Sequence, residues 1–114
     1  MEDCIFCKIA DGRIPAAVVY ENDLTVAFED IHPMAPVHVI VIPKEHIPTL
    51  LDLGRDDRPT RDALVEAVQE VARIKGIDHK GFRMVINCND EGGQVIYHLH
   101  VHVLGGRKLD DELG

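Results

Sequence analysis

Apolar and polar positions alternate most plainly near the C-terminal end of the chain. There His98-Leu99-His100-Val101-His102-Val103-Leu104 sets a histidine at every second position with an aliphatic residue between. A period of two predicts a strand with the three imidazoles on one face, lining a groove, and Leu99, Val101 and Val103 on the other, against an apolar layer. The spacing predicts this strand over residues 94–104 and a preceding one over 82–87, with Asp90-Glu91-Gly92-Gly93 turning the chain between them. Residues 18–20 and 25–28 flank Asn22-Asp23, the chemistry of a hairpin turn. Residues 37–42 are almost uninterruptedly apolar, which predicts a central buried strand ended by Pro43, while Pro33 and Pro36 keep residues 30–36 a loop.

A period near 3.6 replaces the period of two in the middle of the chain. Leu64, Ala67, Val68, Val71 and Ile74 recur at three- and four-residue steps, predicting an amphipathic helix with Asp57 as N-cap and Gly76 as its stop. Ile5, Phe6, Ile9 and Ile14 predict a short helix or helical turn within residues 4–14, closed by Pro15, and residues 47–53 a short helical segment ending at Gly54. Hairpins plus one long helix and a short N-terminal one define an α+β fold with an antiparallel sheet.

Composition narrows the function. A chain of 114 residues is expected to be one domain, residues 1–114. Twelve Lys and Arg against twenty Asp and Glu leave a net charge of −8 with no basic run, which argues against nucleic-acid and anionic-membrane partners. The chain start shows neither the basic nor the apolar part of a secretory leader, and the longest apolar stretch is too short for a bilayer. With three cysteines, this reads as a cytoplasmic protein without a disulfide framework.

Seven histidines in 114 residues make a chance i, i+2, i+4 spacing about a 0.03 event, so the row calls for chemistry. One zinc ion could bridge a His-x-His pair but scarcely all three, since the outer Cα atoms of an extended strand lie about 13 Å apart. Imidazole as a nucleophile on phosphorus, with a neighbour on the phosphoryl oxygens or leaving group, suits the row better. Gly92-Gly93 and Gly105-Gly106 would let backbone approach a phosphate, though such pairs more often mark turns.

The stretch from Gly92 through Arg107, with Phe28-Glu29-Asp30-Ile31-His32-Pro33, Pro36-Val37-His38 and Val41-Ile42-Pro43-Lys44, resembles the histidine-triad (HIT) family, in its Hint-type branch, over about residues 4–108. The resemblance implies hydrolysis of purine, in particular adenosine, 5′-phosphoramidates or related monophosphate derivatives. It makes His100 the nucleophile that forms a nucleotidyl-histidine. It sets His102 on the phosphate, as a candidate to protonate the leaving amine, and His38 in the supporting network, with His98 completing the triad. It further implies an adenine pocket of Ile5, Phe6, Ile9, Phe28 and Ile31, ribose contacts from Asp30, and a phosphate side of Asn87, Gly93, Gln94 and Val95. A homodimer through the long helix and a strand also follows from it, and no cofactor is required for catalysis. Alternatives are a nucleotidyl transferase, a dinucleoside polyphosphate hydrolase, or a non-catalytic nucleotide- or zinc-binding protein.

Two features depart from the family pattern: Val95 stands where some relatives have serine, and the short acidic end after Arg107 lacks an aromatic tail. Cys4-x-x-Cys7 remains. A redox role expects a βαβ unit that the pattern does not offer, whereas two thiolates and two imidazoles complete a closed structural zinc site. Some HIT relatives with this cysteine pair hold zinc; His46 and His98 are the expected partners here, with unligated thiols the alternative. In sequence, only Arg107 and Lys108 bring fixed cations near the triad, which favours substrates with a single phosphate.

Overall fold

The hairpin forms as expected, from β1 (Val18–Glu21) and β2 (Thr25–Glu29) in the computed structural model, which describes residues 3–114. Asn22 makes the turn, its Oδ1 accepting from the backbone N–H groups of Leu24 and Thr25 and from the Thr25 hydroxyl. The chain start includes Met1-Glu2, which lie outside the described residues.

Three more strands, β3 (Val37–Pro43), β4 (Arg83–Val85) and β5 (Val101–Gly105), complete one antiparallel sheet in the order β1-β2-β3-β5-β4. Both faces of the sheet are covered, which is why β3 reads as a continuous apolar run. On one face Val39, Val41, Leu99, Val101 and Val103 pack against Leu64, Ala67, Val68 and Val71 of α2 (Arg58–Ile74). On the other, Val26, Phe28, Ile40 and Ile42 pack against Phe6 of α1 (Ile5–Ala10). His38 stands in β3 between Val37 and Val39 and belongs by alternation to this second face.

The structure corrects the expected boundaries of several elements. The last strand begins at Val101, not residue 94, because the β3 ladder ends at Pro43, which has no N–H to offer a partner opposite Leu99. Leu99 instead donates its N–H to the Ile47 carbonyl at 2.7 Å, and the alternation of faces survives without a ladder. The preceding strand shrinks to β4, and the N-terminal helix stops at Ala10. The segment before α2 is two 3₁₀ turns, Leu50–Asp52 and Arg55–Asp57. Asp57 directly precedes α2, yet its Oδ2 accepts from Gly54 N at 2.8 Å and makes no side-chain cap to that helix. Gly76, at φ 69°, ends the helix as expected. Among the described residues no helix is long and apolar enough to cross a membrane.

Candidate active site

Alternation carries the three histidines to the α1 face of the sheet, yet they do not line an open groove. His98 is 0% and His100 8% exposed. The cover is Phe6 of α1, whose ring meets His100 edge-on at 5.1 Å and His98 at 5.9 Å and stacks its own edge on Phe28 at 5.7 Å. Sequence spacing placed these residues on one face but could not show that a six-residue helix would close over them.

Hydrogen-bond partners assign the ring nitrogens. His100 Nδ1 lies 2.8 Å from the His98 carbonyl, which can only accept, so Nδ1 carries the hydrogen and Nε2 keeps its lone pair. Met34 donates its backbone N–H to His38 Nδ1 at 3.0 Å. His38 therefore carries its hydrogen on Nε2, shared between His102 Nδ1 at 2.9 Å and Asp30 Oδ2 at 3.3 Å. His102 accepts at Nδ1 and presents Nε2–H. Burial, and then the neighbouring His100 and His38, hold its pKa below the usual 6.5, only partly opposed by Asp30. The His102 ring stands 5.1 Å from that of His100, edge to face. The Met34 N–H was not legible in sequence, because a backbone donor carries no residue signature.

The remaining expected contacts separate into three groups. Phe6 and Phe28 are buried, Ile9 half-buried and Ile5 more exposed, all on or beside α1, whereas Ile31 and Val95 are 86% and 87% exposed. Asp30 is the second group: its Oδ1 accepts from His32 N at 2.7 Å, a turn contact, and its Oδ2 faces His38. On the phosphate side, Asn87 Nδ2 donates to the Gly92 carbonyl at 2.7 Å. The Gln94 side chain is fully committed, accepting from Asn89 N at 2.9 Å and donating to Ile96 O at 3.1 Å within its own loop and to Pro48 O at 2.8 Å across the fold. Its backbone N–H is engaged as well, donating to the Asn89 carbonyl at 3.0 Å. A Cβ on Gly92 would lie 2.3 Å from the Cys88 carbonyl oxygen, and one on Gly106 2.9 Å from the Pro36 side chain. Both glycines serve chain packing; at Gly93 a Cβ would meet only Asn87 Nδ2, at 3.8 Å, and the φ of 80° is what calls for glycine.

The fold also gathers Cys4, Cys7, His46 and His98, whose ligand atoms all lie within 4.8 Å of one another. Cys4 Sγ is 3.2 Å from His98 Nδ1, and Cys7 Sγ is 3.2 Å from His46 Nδ1 and 3.5 Å from His98 Nδ1. Zinc bonds of about 2.3 Å to sulfur and 2.0 Å to nitrogen put tetrahedral S···N edges near 3.5 Å, so the donor set fits that ion. His98 Nε2 donates to the Pro43 carbonyl at 2.8 Å, which leaves Nδ1 as the ligating lone pair. Burial lowers the His98 pKa, and burial with the adjacent Cys4 raises the Cys7 thiol to about 11. All three cysteines are free.

Four cations converge where the sequence offered two. Lys80 and Arg83 join Arg107 and Lys108 around a pocket of about 250 Å³ at the β4 side of the sheet. None of the four forms an ion pair with a carboxylate among the described residues.

The row thus sets a buried His100, its Nδ1 held by a main-chain oxygen, beside the hydrogen-bonded His38 and His102 pair. The HIT domain family model matches residues 11–109, and the chain belongs to the HIT family. Among curated relatives, the purine nucleoside phosphoramidase of Escherichia coli K12 is 41% identical over 108 residues, covering 95% of this chain and 91% of that protein. An uncharacterized HIT-like protein of Synechococcus elongatus is 47% identical over 108 residues, with 95% and 94% covered. The crystal structure of a HIT family hydrolase from Legionella pneumophila superposes with a TM-score of 0.94 at 44% identity, covering 98% of this chain and all of that one. The family and its hydrolase neighbours support a hydrolase.

Proposed function

We propose that the protein hydrolyses purine nucleoside 5′-phosphoramidates, with His100 as nucleophile. The carrying observation is the 2.8 Å bond from His100 Nδ1–H to the His98 carbonyl, which keeps Nε2 as a lone pair. The phosphoramidase name of the Escherichia coli relative supports the substrate class. In the first step Nε2 forms a bond to phosphorus and the P–N bond breaks, its electron pair leaving with the nitrogen, which takes a proton from water and departs as an amine. In the second, a water oxygen bonds to phosphorus, the P–Nε2 pair returns to His100, and the water's spare proton is released. Of the two duties considered for His102, the network favours the first: with Nδ1 accepting from His38, its Nε2–H donates to the phosphoryl oxygens, where charge must be held. Phe6, Phe28 and Ile9 take the base and Asp30 the ribose hydroxyls. Zinc held by Cys4, Cys7, His46 and His98 would staple the N-terminal segment; four protein ligands leave no open position for substrate. Release of free AMP from an adenosine phosphoramidate tests the activity, and its absence would contradict it.

A homodimer is part of the same reading. Leu50, Leu53, Leu64, Val65, Met84 and Ile86 border an apolar groove of about 360 Å³ between α2 and the outermost strand β4, the surface a second copy would cover. Free thiols and the absence of a disulfide framework fit a cytoplasmic setting. The dinucleoside polyphosphate reading needs added phosphate charge to be offset, and the group of cations available for that is Lys80, Arg83, Arg107 and Lys108, around a pocket whose lining includes none of the histidines. Turnover of a diadenosine polyphosphate faster than of the phosphoramidate would establish it.

A further inference from the structure

The metal cluster and the histidine row are joined through two residues. His98 gives its side chain to the cysteines and its carbonyl to the nucleophile, since Nδ1 faces Cys4 Sγ at 3.2 Å while the main-chain oxygen accepts from His100. Phe6 lies in the short helix whose N-cap is Cys4, whose Sγ accepts from Cys7 N at 3.3 Å, and its ring rests on both His98 and His100. A helix of six residues falls well below the roughly 12–15 that hold together alone, so α1 depends on tertiary ties. Phe6 is its only buried residue, and Cys4 and Cys7 are its links to His46 and His98.

We propose that metal occupancy of the Cys4, Cys7, His46 and His98 cluster sets the affinity of the adjoining nucleotide pocket, with Phe6 and His98 as the positioning residues that carry the coupling. The inference rests on the zinc and nucleotide readings above and goes beyond both. Without the ion, α1 is held by Phe6, by the partial packing of Ile9 and Ala10 and by thiol–imidazole contacts far weaker than metal bonds, so a nucleotide that needs Phe6 and Ile9 in place must order the helix more fully as it binds. That ordering cost appears as weaker affinity. The chemical step is spared, because the bond that fixes the His100 tautomer goes to a main-chain oxygen. Coupling between two sites is reciprocal, so bound nucleotide must tighten the metal by the same factor.

The test is calorimetric titration of AMP into wild-type protein, zinc-loaded and chelator-stripped, with circular dichroism to monitor the sheet. It is paired with zinc affinity measured against a competing chelator, with and without saturating AMP. The expected result is an AMP Kd about 5- to 50-fold weaker in the stripped protein, with zinc tightened by the same factor when AMP is bound. KM for an adenosine phosphoramidate should rise in parallel while kcat stays within about twofold. Phe6→Leu should still bind zinc but bring the coupling factor toward one. Equal AMP affinity in the two forms overturns the proposal, as does a stripped protein that loses its sheet, which would make the ion a requirement of the whole fold. AMP binding to neither form would overturn the nucleotide reading, and zinc failing to bind would overturn the metal reading; either removes the coupling, and the two are told apart by which titration is silent.

Discussion

His98 and His100 are bound to each other through the main chain, the His100 Nδ1–H donating to the His98 carbonyl at 2.8 Å, while the His98 ring turns away to Pro43 and the cysteine pair. Neighbouring histidines of one row thus face two different side-chain clusters. The i, i+2 spacing that made the row conspicuous is also what allows one residue's carbonyl to reach the next ring on the same face.

Asp30→Ala should weaken ribonucleotide binding more than it slows chemistry, because a carboxylate on the ribose hydroxyls contributes mostly uniform binding. The loss should shrink for a 2′,3′-dideoxy substrate. Asp30 also faces His38 at 3.3 Å. Equal losses for both substrates, with kcat falling, would assign it to the histidine network instead.

Chelation of zinc should lower Tm, by about 4–8 °C for each kcal/mol lost in a chain of this size, while turnover at saturating substrate well below Tm persists. The Cys4→Ser, Cys7→Ser double variant should match the chelated protein and hold no zinc. Elemental analysis and thermal scans check both. A zinc-reversible loss of kcat at unchanged Tm would move the ion into the chemistry.

His102 gives a pH dependence of stability. Its pKa in the folded chain lies below the 6.5 of an unfolded histidine, so between the two values the unfolded chain binds more protons. Stability should therefore be undiminished above pH 6.5 and fall as pH drops from 6.5 through the folded pKa. His102→Asn removes this share. Thermal unfolding between pH 5 and 8 should show a smaller acid loss in the variant than in the parent, and parallel curves would refute the assignment.

Met84 is 46% exposed on the outermost strand, beside the apolar groove. Met84→Glu buries a charge if a second copy covers this surface, and should convert a dimer to a monomer in analytical ultracentrifugation. A parent that sediments as a monomer would dismiss the dimer.

The sheet, its central strand and the long helix were legible because each rests on a repeated pattern: the apolar run around Val39 and Val41, and the Leu64 to Val71 stripe. The Cys4, Cys7, His46, His98 cluster was legible from residue type and the family resemblance. The start of β5 was not, since its ladder ends for want of an N–H on Pro43, a partner distant in sequence. Nor was the engagement of Gln94, whose partners at Pro48 and Asn89 are main-chain atoms brought close only by folding. The four-cation pocket assembled from residues 80–83 and 107–108 lay hidden because charge counted along the chain misses cross-strand neighbours such as Arg83 and Leu104.

The role of His100 is tested most directly by quenching a reaction with an adenosine phosphoramidate during turnover and mapping the protein by mass spectrometry. The account predicts a nucleotidyl group on His100 that decays as AMP appears, and in His100→Ala no adduct and a kcat lower by several orders of magnitude, with AMP still bound. Steady AMP release without an adduct, or turnover largely retained by His100→Ala, would show that water attacks phosphorus directly and that His100 is not the nucleophile.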